Sequence, residues 1–254
     1  MRRPGAHPGS SARRSHEVSL RDAWEAEARN WIAWARTPGH DSYWLFHRDV
    51  FLPSLPPAPC RVVDVGCGEG RLPRDLKRLG YEVVGIDASP TLVAAAREAD
   101  PAGRYKVADA AAIPLPDASA DLVTAFMSLQ DVDDIDAALR EIARVLVPGG
   151  RLRSAIVHPI NSAGRFPTRE HDAVFEIRDS YFEERRSTDT FERDGLTMTF
   201  ASQHRSLERV ASAILNAGLL IDHVAEVPEL SDPVGSPFRR VPLFLHLGAL
   251  KPRP

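Results

Sequence analysis

The stretch VDVGCGEG at residues 63–70 decides the fold of this chain. It follows the β-branched apolar run RVVDV (61–65), which is typical of a buried strand. It precedes a segment in which Leu72, Leu76 and Leu79 recur at helical spacing. Glycines at such a junction let the backbone pass close to a ligand. Open α/β sheets bind ligands at this carboxyl edge, so the stretch predicts a ligand-binding strand–turn–helix unit.

Strands and helices alternate after this turn. The predicted strands are residues 61–65, 82–86, 104–108, 121–127 and 151–157. The helices between them begin after Gly70, at Ser89-Pro90 and at Asp133-Asp134, and the last carries Leu146 on its inner face and ends at Pro148-Gly149-Gly150. This alternation predicts parallel βαβ units with right-handed crossovers.

Residues 159–204 interrupt the alternation, with short strands expected at 174–178 and 196–200. A helix from Ser206 to Gly218 follows. Two closing strands (219–227 and 241–250) are joined by a loop too short for a crossover helix, so we expect them to pair antiparallel. The pattern indicates an α/β fold, a Rossmann-like three-layer sandwich.

The chain is expected to have three parts. Residues 1–16 are rich in Arg, Ser, Gly and Pro and lack an apolar core, which predicts a disordered tail rather than a signal peptide. Residues 17–59 predict an N-terminal helical lid, with helices at 18–37 and 43–52. Residues 60–254 form the predicted catalytic domain, in which 159–204 is a substrate-side insertion.

The spacing of the glycines separates the candidate ligands. A dinucleotide fingerprint requires a third glycine where this chain has Arg71, and Glu69 brings negative charge to a helix start that would face pyrophosphate. A nucleoside with a cationic sulfonium fits this acidic turn better. Asp87 ends the second strand and can accept hydrogen bonds from both ribose hydroxyls, while Asp109 ends the third and can meet the adenine amino group.

These motifs resemble a known family. The strings VVDVGCGEG (62–70), GIDAS (85–89), LPDASADLV (115–123) and ALREIARVLVPGGRL (138–152) are similar to class I S-adenosylmethionine (SAM)-dependent methyltransferases of the small-molecule group, methyltransferase type 11-like. The resemblance implies a seven-stranded, mostly parallel sheet with its last strand antiparallel. It implies SAM as cofactor and S-adenosylhomocysteine as product. The cofactor-binding residues that it suggests are Asp64, Gly66, Cys67, Gly68, Asp87, Ala88, Asp109, Ala110, Ser128 and Gln130.

Acceptor-side residues are less strongly indicated. His158 directly follows the fifth strand and His204 precedes a helix start, so each is a candidate general base or, alternatively, a residue that shapes a turn or caps a helix. Many relatives carry histidines after the fourth strand, where this chain has Ser128-Leu129-Gln130-Asp131. The residues predicted to line the substrate cavity are Trp31, His40, Tyr43 and Tyr181.

The composition of the chain argues against several classes of partner and protein. A net charge of −3 argues against a nucleic-acid partner, two cysteines argue against a disulfide framework, and no apolar run is long enough for a membrane span. We therefore predict a cytoplasmic monomer or homodimer that acts on a small molecule, apolar or aromatic. No metal is expected, because the acids around Asp133 suit a helix start. The alternatives are an RNA or protein methyltransferase and a SAM-binding protein with non-methylating chemistry.

Overall fold

A computed structural model describes residues 18–177, 179–228 and 236–254. The predicted disordered tail at 1–16 lies outside the described residues. The strands are β1 (Arg61–Val65), β2 (Glu82–Asp87), β3 (Arg104–Val107), β4 (Ala120–Phe126), β5 (Leu146–Val157), β6 (Gly164–Arg165), β7 (Glu176–Ile177), β8 (Arg185–Arg193), β9 (Leu196–His204), β10 (Leu220–Val227) and β11 (Phe244–Leu250). The α-helices are α1 (Leu20–Arg36), α2 (Arg48–Phe51), α3 (Arg71–Arg78), α4 (Pro90–Ala99), α5 (Ile135–Val145), α6 (Pro159–Ala163) and α7 (Leu207–Asn216).

Seven of these strands form one sheet in the order β10-β11-β5-β4-β1-β2-β3. Strands β1 to β5 pair parallel with one another, whereas β11 is antiparallel to both β5 and β10. The predicted fold class, a seven-stranded sheet with its last strand reversed, is confirmed. This order reverses at β1 and β4, and the crevice above that point is where ligands enter such sheets.

Helices cover both faces of the sheet because the side chains of each strand alternate between the faces. Val63 and Val65 of β1 pack with Leu139 of α5 and Ile214 of α7. Val62, one position earlier, faces the other side and packs with the cluster that holds Leu72, Leu76 and Phe51. The three-layer arrangement follows directly from this alternation.

The boundary between α5 and β5 differs from the prediction. The helix ends at Val145, and Leu146 already belongs to β5 instead of lying on the helix. The Pro-Gly-Gly segment was expected to separate the two elements, but it is a bulge within the strand, since the β4 register jumps from Ala120–Leu146 to Leu122–Arg151. Two backbone hydrogen bonds hold this bulge in place: Gly149 donates to the carbonyl of Lys251 at 2.8 Å, and Lys251 donates to that of Gly150 at 2.9 Å.

The insertion contains more strand than expected. Short strands were predicted at 174–178, which contains β7, and at 196–200, which lies within β9. Strand β8 was not predicted, and it pairs with β9 in an antiparallel hairpin of nine residues per strand that ends at His204. Its two-residue turn is Asp194-Gly195, with φ of 50° and 76°. This is a turn that favours Asp-Gly, so the sequence carried a hairpin signal.

The helix α1 lies between this hairpin and the main sheet. The indole Nε1 of Trp24 donates to the carbonyl of Ala201 in β9 at 3.0 Å. On its other side, Glu25 accepts hydrogen bonds from Ser89 and Thr91 at the start of α4. The next helical segment, residues 43–54, begins with a π-turn at Tyr43–His47 and packs on the sheet through Phe51. Helix α1 therefore forms a roof above the carboxyl edge of the sheet.

Candidate active site

A cavity of about 920 Å³ lies between the carboxyl ends of the central strands, helix α1 and the β8–β9 hairpin. All ten residues predicted to bind the cofactor line it. They are Asp64, Gly66, Cys67, Gly68, Asp87, Ala88, Asp109, Ala110, Ser128 and Gln130. The fold thus brings four separate strand ends, those of β1 to β4, and the turns after them into one site.

The glycine turn closes tightly against the end of β4. Gly66 has a φ of 74°, and a Cβ placed there would lie 2.3 Å from Cβ of Ser128. The hydroxyl of Ser128 donates to the carbonyl of Val65 at 2.6 Å, which ties the two strand ends together. A side chain at Gly66 is excluded by both the backbone angle and this close approach.

Two carboxylates stand at the floor of the cavity. Asp87 accepts hydrogen bonds from the backbone N–H groups of Gly68 at 2.8 Å and Ser89 at 2.9 Å, one on each oxygen. Burial raises the pKa of Asp87, and these two donors oppose the rise. Each oxygen keeps a lone pair, so the carboxylate can accept two further hydrogen bonds from a ligand diol.

Asp64 is more deeply buried. Its carboxylate accepts a 2.6 Å hydrogen bond from the hydroxyl of Thr124. Burial raises the pKa of Asp64 to about 7, and the charge of Asp87 adds to this shift. A positive ligand charge nearby would stabilise the ionised forms of both carboxyl groups.

Asp131 is a third carboxyl group that lines the cavity, and it belongs to the acidic cluster around Asp133, most of which was predicted to be a helix start. That interpretation is correct for Asp134, whose side chain accepts from the N–H of Ala137 and caps α5. Asp131 instead lies in the turn before the helix, and its side-chain contact is a 3.3 Å hydrogen bond from the amide of Gln130. Burial raises the pKa of Asp131 well above its ordinary value, opposed by the charge of Arg205.

Asp109 and Gln130 line the cavity from the segments that follow β3 and β4. Asp109 is exposed and accepts a 2.8 Å hydrogen bond from the N–H of Ala111, which fixes the turn after β3. Gln130 donates to the carbonyl of Met127 at 2.8 Å, while its Oε1 is buried without a protein partner among the described residues. That oxygen is available to accept a hydrogen bond from a ligand.

Arg71, which the sequence analysis noted only as a departure from a dinucleotide motif, also lines the cavity. It forms an ion pair with Asp41, and its guanidinium lies against the rings of Trp31 and Tyr43. Burial lowers the pKa of Arg71 to about 9, and the neighbouring charge of Arg74 adds to the effect. A buried cation beside a glycine turn is a feature that spacing rules do not identify.

Neither predicted base histidine touches the cavity directly. His158 accepts at Nδ1 from the N–H of Ile160 at 3.1 Å, and its Nε2 lies 3.0 Å from Glu226. Both nitrogens are therefore engaged in capping α6 and joining it to β10. This geometry corrects the prediction of His158 as a general base in favour of the alternative, a turn-shaping residue.

His204 reaches the cavity through another side chain. Its Nε2 lies 2.9 Å from the carbonyl of Tyr181, so the proton of the neutral ring must reside on Nε2. Its Nδ1 is then an acceptor, and the hydroxyl of Ser162 donates to it at 2.7 Å. Ser162 lines the cavity, whereas His204 is buried behind it. Burial lowers the pKa of His204, so the ring is neutral near pH 7.

The four predicted substrate residues divide into two pairs. Trp31 and His40 line the cavity. Tyr43 is completely buried and donates to Asp75 at 2.8 Å, and Tyr181 accepts from the N–H of Leu207 at the start of α7. Neither tyrosine lines the cavity, so the prediction is corrected for both. Their hydroxyl groups instead form the hydrogen bonds that join elements of the scaffold.

Two kinds of site are absent from the described part of the chain. In residues 18–177, 179–228 and 236–254, no cluster of three or more His, Cys, Asp and Glu side chains is arranged to hold a metal ion. Among the same residues, none of the helices has the length and apolar character needed to cross a bilayer.

Comparison with known proteins identifies the central part of the chain. A family model described as a methyltransferase domain matches residues 63–154. Demethylmenaquinone methyltransferase from Thermus thermophilus is 43% identical over 105 residues, which cover 39% of this chain and 48% of that protein. Malonyl-[acyl-carrier protein] O-methyltransferase from Enterobacter lignolyticus is 41% identical over 92 residues, which cover 36% and 37%. The chain thus spans less than half the length of these curated relatives.

A solved structure extends the likeness over most of the chain. An S-adenosylmethionine-dependent methyltransferase from Mesorhizobium loti aligns with a TM-score of 0.67 at 26% identity, covering 83% of this chain and 98% of that one. The family model spans the glycine turn and the elements from within β1 to within β5, and the likeness to the solved structure extends over most of the remaining chain.

Proposed function

We propose that this chain, which carries a class I SAM-dependent methyltransferase domain, transfers a methyl group from SAM to a small-molecule acceptor. The observation that carries the proposal is the pair of strand-end carboxylates, Asp64 and Asp87, beside the closed glycine turn of a cavity large enough for a nucleoside and a second molecule. SAM supplies an electrophilic methyl group on a positively charged sulfur.

The residues present fit this cofactor. Asp87 retains free lone pairs for the ribose hydroxyls, and the exposed carboxylate of Asp109 suits the adenine amino group. Burial raises the pKa of both Asp64 and Asp131, and a sulfonium bound beside them would favour their ionised forms and be stabilised by them in return. The roles of the ten cofactor residues are part of this proposal.

Ser162 and His204 provide a route for the acceptor proton. An acceptor hydroxyl or amine that binds beside Ser162 can pass its proton to Oγ while the Ser162 proton moves to Nδ1 of His204. The carbonyl of Tyr181 accepts from Nε2 and stabilises the imidazolium that forms. Arg185 fixes the arrangement by donating to the carbonyls of Ser162 and Ser180. Positioning of the acceptor in a dry site supplies the remainder of the acceleration.

The acceptor end of the cavity favours an apolar or aromatic molecule. Phe166 and Phe238 lie edge to face at 5.0 Å, and Phe244 and Leu243 extend this apolar wall towards Ser162. Two of the relatives are named for a demethylmenaquinone acceptor and for a malonyl-[acyl-carrier protein] acceptor. An aromatic hydroxyl is the acceptor that the wall and the Ser162–His204 pair suit best.

The experiment is an acceptor screen that detects S-adenosylhomocysteine. Purified protein and SAM are incubated with phenols, catechols, quinols and aromatic amines, beside total RNA and a protein mixture. We expect product with an aromatic hydroxyl compound and little with RNA or protein. Product with RNA that diminishes steeply at high salt would favour the RNA alternative. SAM binding with no product from any acceptor would favour the non-methylating alternative. We propose a cytoplasmic monomer or homodimer, which gel filtration checks for the oligomeric state.

A further inference from the structure

We propose that Arg71 is the carboxylate-binding residue of the cavity and that its ligand is the α-carboxylate in the amino-acid moiety of SAM. This assignment rests on the proposed function, because it takes SAM as the cofactor. It gives a role to a buried cation that the glycine turn and the strand-end acids leave unexplained.

Arg71 is enclosed more completely than an ordinary surface arginine. Its side chain is 14% exposed, and what remains accessible faces the cavity. The centre of the guanidinium lies 5.1 Å from the ring of Tyr43, 5.5 Å from Trp31 and 5.7 Å from Phe126. Three aromatic walls fix the orientation of the planar group and exclude water from it.

The protein compensates this charge only in part. The single polar partner of Arg71 among the described residues is Asp41, which pairs with Nη1. A guanidinium has five N–H donors, so Nε and Nη2 have no protein acceptor in the same part of the chain. Burial lowers the pKa of Arg71, as expected for a cation with too few partners. A second carboxylate from a ligand would remove this deficit with a bidentate pair.

The position of Arg71 favours the amino-acid end of the cofactor. Arg71 begins α3 immediately after the glycine turn, and it touches Phe126 at the end of β4. Trp31, which stacks on it, lies 3.4 Å from where a Cβ on Gly68 would be. Asp87 and Asp109, assigned to the ribose and adenine, end β2 and follow β3, on the other side of the turn. The carboxylate and the nucleoside therefore bind on opposite sides of residues 66–70.

An anion on Arg71 has a second possible source, a carboxylate on the methyl acceptor. Two ligands that differ only in the cofactor carboxylate separate the sources. S-Adenosylhomocysteine carries it, and S-adenosyl-3-thiopropylamine lacks it while retaining the nucleoside, the thioether and the amine. No acceptor is present in the measurement, so any preference for the first ligand reports the cofactor carboxylate alone.

The experiment is calorimetric titration of the parent and three variants with both ligands. In Asp41→Asn/Arg71→Met both members of the ion pair are removed, so that no buried carboxylate is left unpaired. Asp41→Asn alone retains Arg71. Arg74→Met removes a neighbouring arginine of α3 that pairs with Glu69 and lies outside the cavity lining. Circular dichroism and thermal unfolding establish that each variant is folded.

The expected result is a change in the ratio of the two dissociation constants. In the parent, in Asp41→Asn and in Arg74→Met, S-adenosylhomocysteine binds about 10- to 100-fold more tightly than the decarboxylated ligand, as charged hydrogen bonds predict. In the double variant the ratio falls to about threefold or less, since only the carboxylate contact is lost.

Each contrary outcome has one meaning. Equal binding of the two ligands by the parent overturns the assignment of Arg71 and leaves the proposed function standing. A ratio that persists in the double variant also overturns it, because the carboxylate then binds elsewhere. If neither ligand binds the parent, the proposed cofactor is wrong and the assignment is wrong with it.

Discussion

The two ends of the cavity are built in different ways. The cofactor end consists of strand ends and the turns after them, within or beside the matched residues 63–154. The acceptor end consists of α6 with Ser162, the end of β9 with His204 and the apolar wall of Phe166, Phe238, Leu243 and Phe244, outside that match. Backbone geometry defines the first, and contacts between side chains of distant segments define the second. A motif in the sequence therefore locates the cofactor end, whereas only the folded chain reveals the acceptor end.

The pKa shifts of buried ionisable groups also differ between two regions of the molecule. Beside the cofactor turn, burial raises the pKa of Asp64 to about 7 and also raises those of Asp87 and Asp131. Where the segment 43–54 packs on β11, burial lowers the pKa of His47 to about 3 and that of His246 to about 4. Their rings are 2.9 Å apart at Nδ1 and Nε2. Acid should consequently act on the two regions with opposite signs.

The largest predicted effect is the acid sensitivity of the His47–His246 pair. Both folded pKa values lie below the unfolded value near 6.5, so their contribution to stability is present above that value and is lost as pH falls towards 4. Between pH 7 and pH 5 the loss is about 2 kcal/mol for each histidine, or about 4 kcal/mol together. His223, close to His246, acts in the same direction.

The measurement is urea denaturation at pH 7 and pH 5 of the parent and of His47→Leu/His246→Leu. The raised pKa values of the three aspartates stabilise the folded state in acid, so the informative quantity is the difference between the two proteins. That difference should change by about 4 kcal/mol in favour of the variant at pH 5. An unchanged difference would show that the histidine pair accepts a proton in the folded state without cost.

The second prediction compares two glycines with similar backbone angles, one in the turn that lines the cavity and one at the tip of the β8–β9 hairpin. Gly66 and Gly195 have φ of 74° and 76°, but a Cβ on Gly66 meets Ser128, whereas one on Gly195 meets nothing within 4 Å. Gly66→Ala should lower the free energy of unfolding by about 3 kcal/mol, and Gly195→Ala by about 1 kcal/mol. Urea denaturation measures both, and equal losses would contradict the close packing at the glycine turn.

These glycines also show how far sequence reasoning extends. Gly66 belongs to a strand–turn–helix string whose spacing predicts its place in the fold. Gly195 belongs to an Asp-Gly pair that signals a hairpin, but the polar strand β8 before it lacks the alternating apolar pattern of a half-buried strand. The hairpin forms because β9 packs on α1, through contacts such as Trp24 with Phe200. A contact such as this one, between residues far apart in the chain, leaves no signal in the local sequence of either segment.

The same contrast between local signals and distant contacts explains which site residues could be predicted from the sequence. Asp64, Asp87 and Asp109 were found because each sits at or just after a strand end, a position that the alternation of elements predicts. Arg71 and Asp131 were missed because their importance depends on burial, which no spacing rule reports. His158 and His204 have similar sequence contexts, yet only His204 has a partner, Ser162, on the cavity wall.

The third prediction uses that difference between the histidines. His204→Gln should lower kcat for an aromatic hydroxyl acceptor about 100-fold by removing the proton acceptor behind Ser162, with cofactor affinity retained. His158→Gln should retain the parent kcat within about threefold, since it affects only the α6 cap.

The pH profile provides the check. Burial lowers the pKa of His204, and Arg185 adds to this while the carbonyl of Tyr181 and Glu184 oppose it. The acidic limb of kcat should therefore lie below pH 6.5 in the parent and disappear in His204→Gln. A limb that persists in that variant would assign the proton to another group.

The smallest predicted effect concerns helix α1, which lies above the carboxyl edge of the sheet. Trp24→Phe removes the hydrogen bond from the indole to the carbonyl of Ala201, at a cost of about 1 kcal/mol. Hydrogen exchange of the β9 amides should accelerate about fivefold. Trp44→Phe, at a tryptophan that is 53% exposed, is the matched control and should leave these rates unchanged. Equal acceleration in both variants would contradict the α1–β9 contact.

The central claim is that the glycine turn and Asp87 bind a nucleoside without phosphates. The most direct measurement is calorimetric titration of the parent and of Asp87→Ala with S-adenosylhomocysteine and with NAD. The account predicts micromolar binding of S-adenosylhomocysteine, none of NAD, and an affinity about 100-fold weaker in the variant, because two charged hydrogen bonds are lost. Binding of NAD in place of S-adenosylhomocysteine would contradict it.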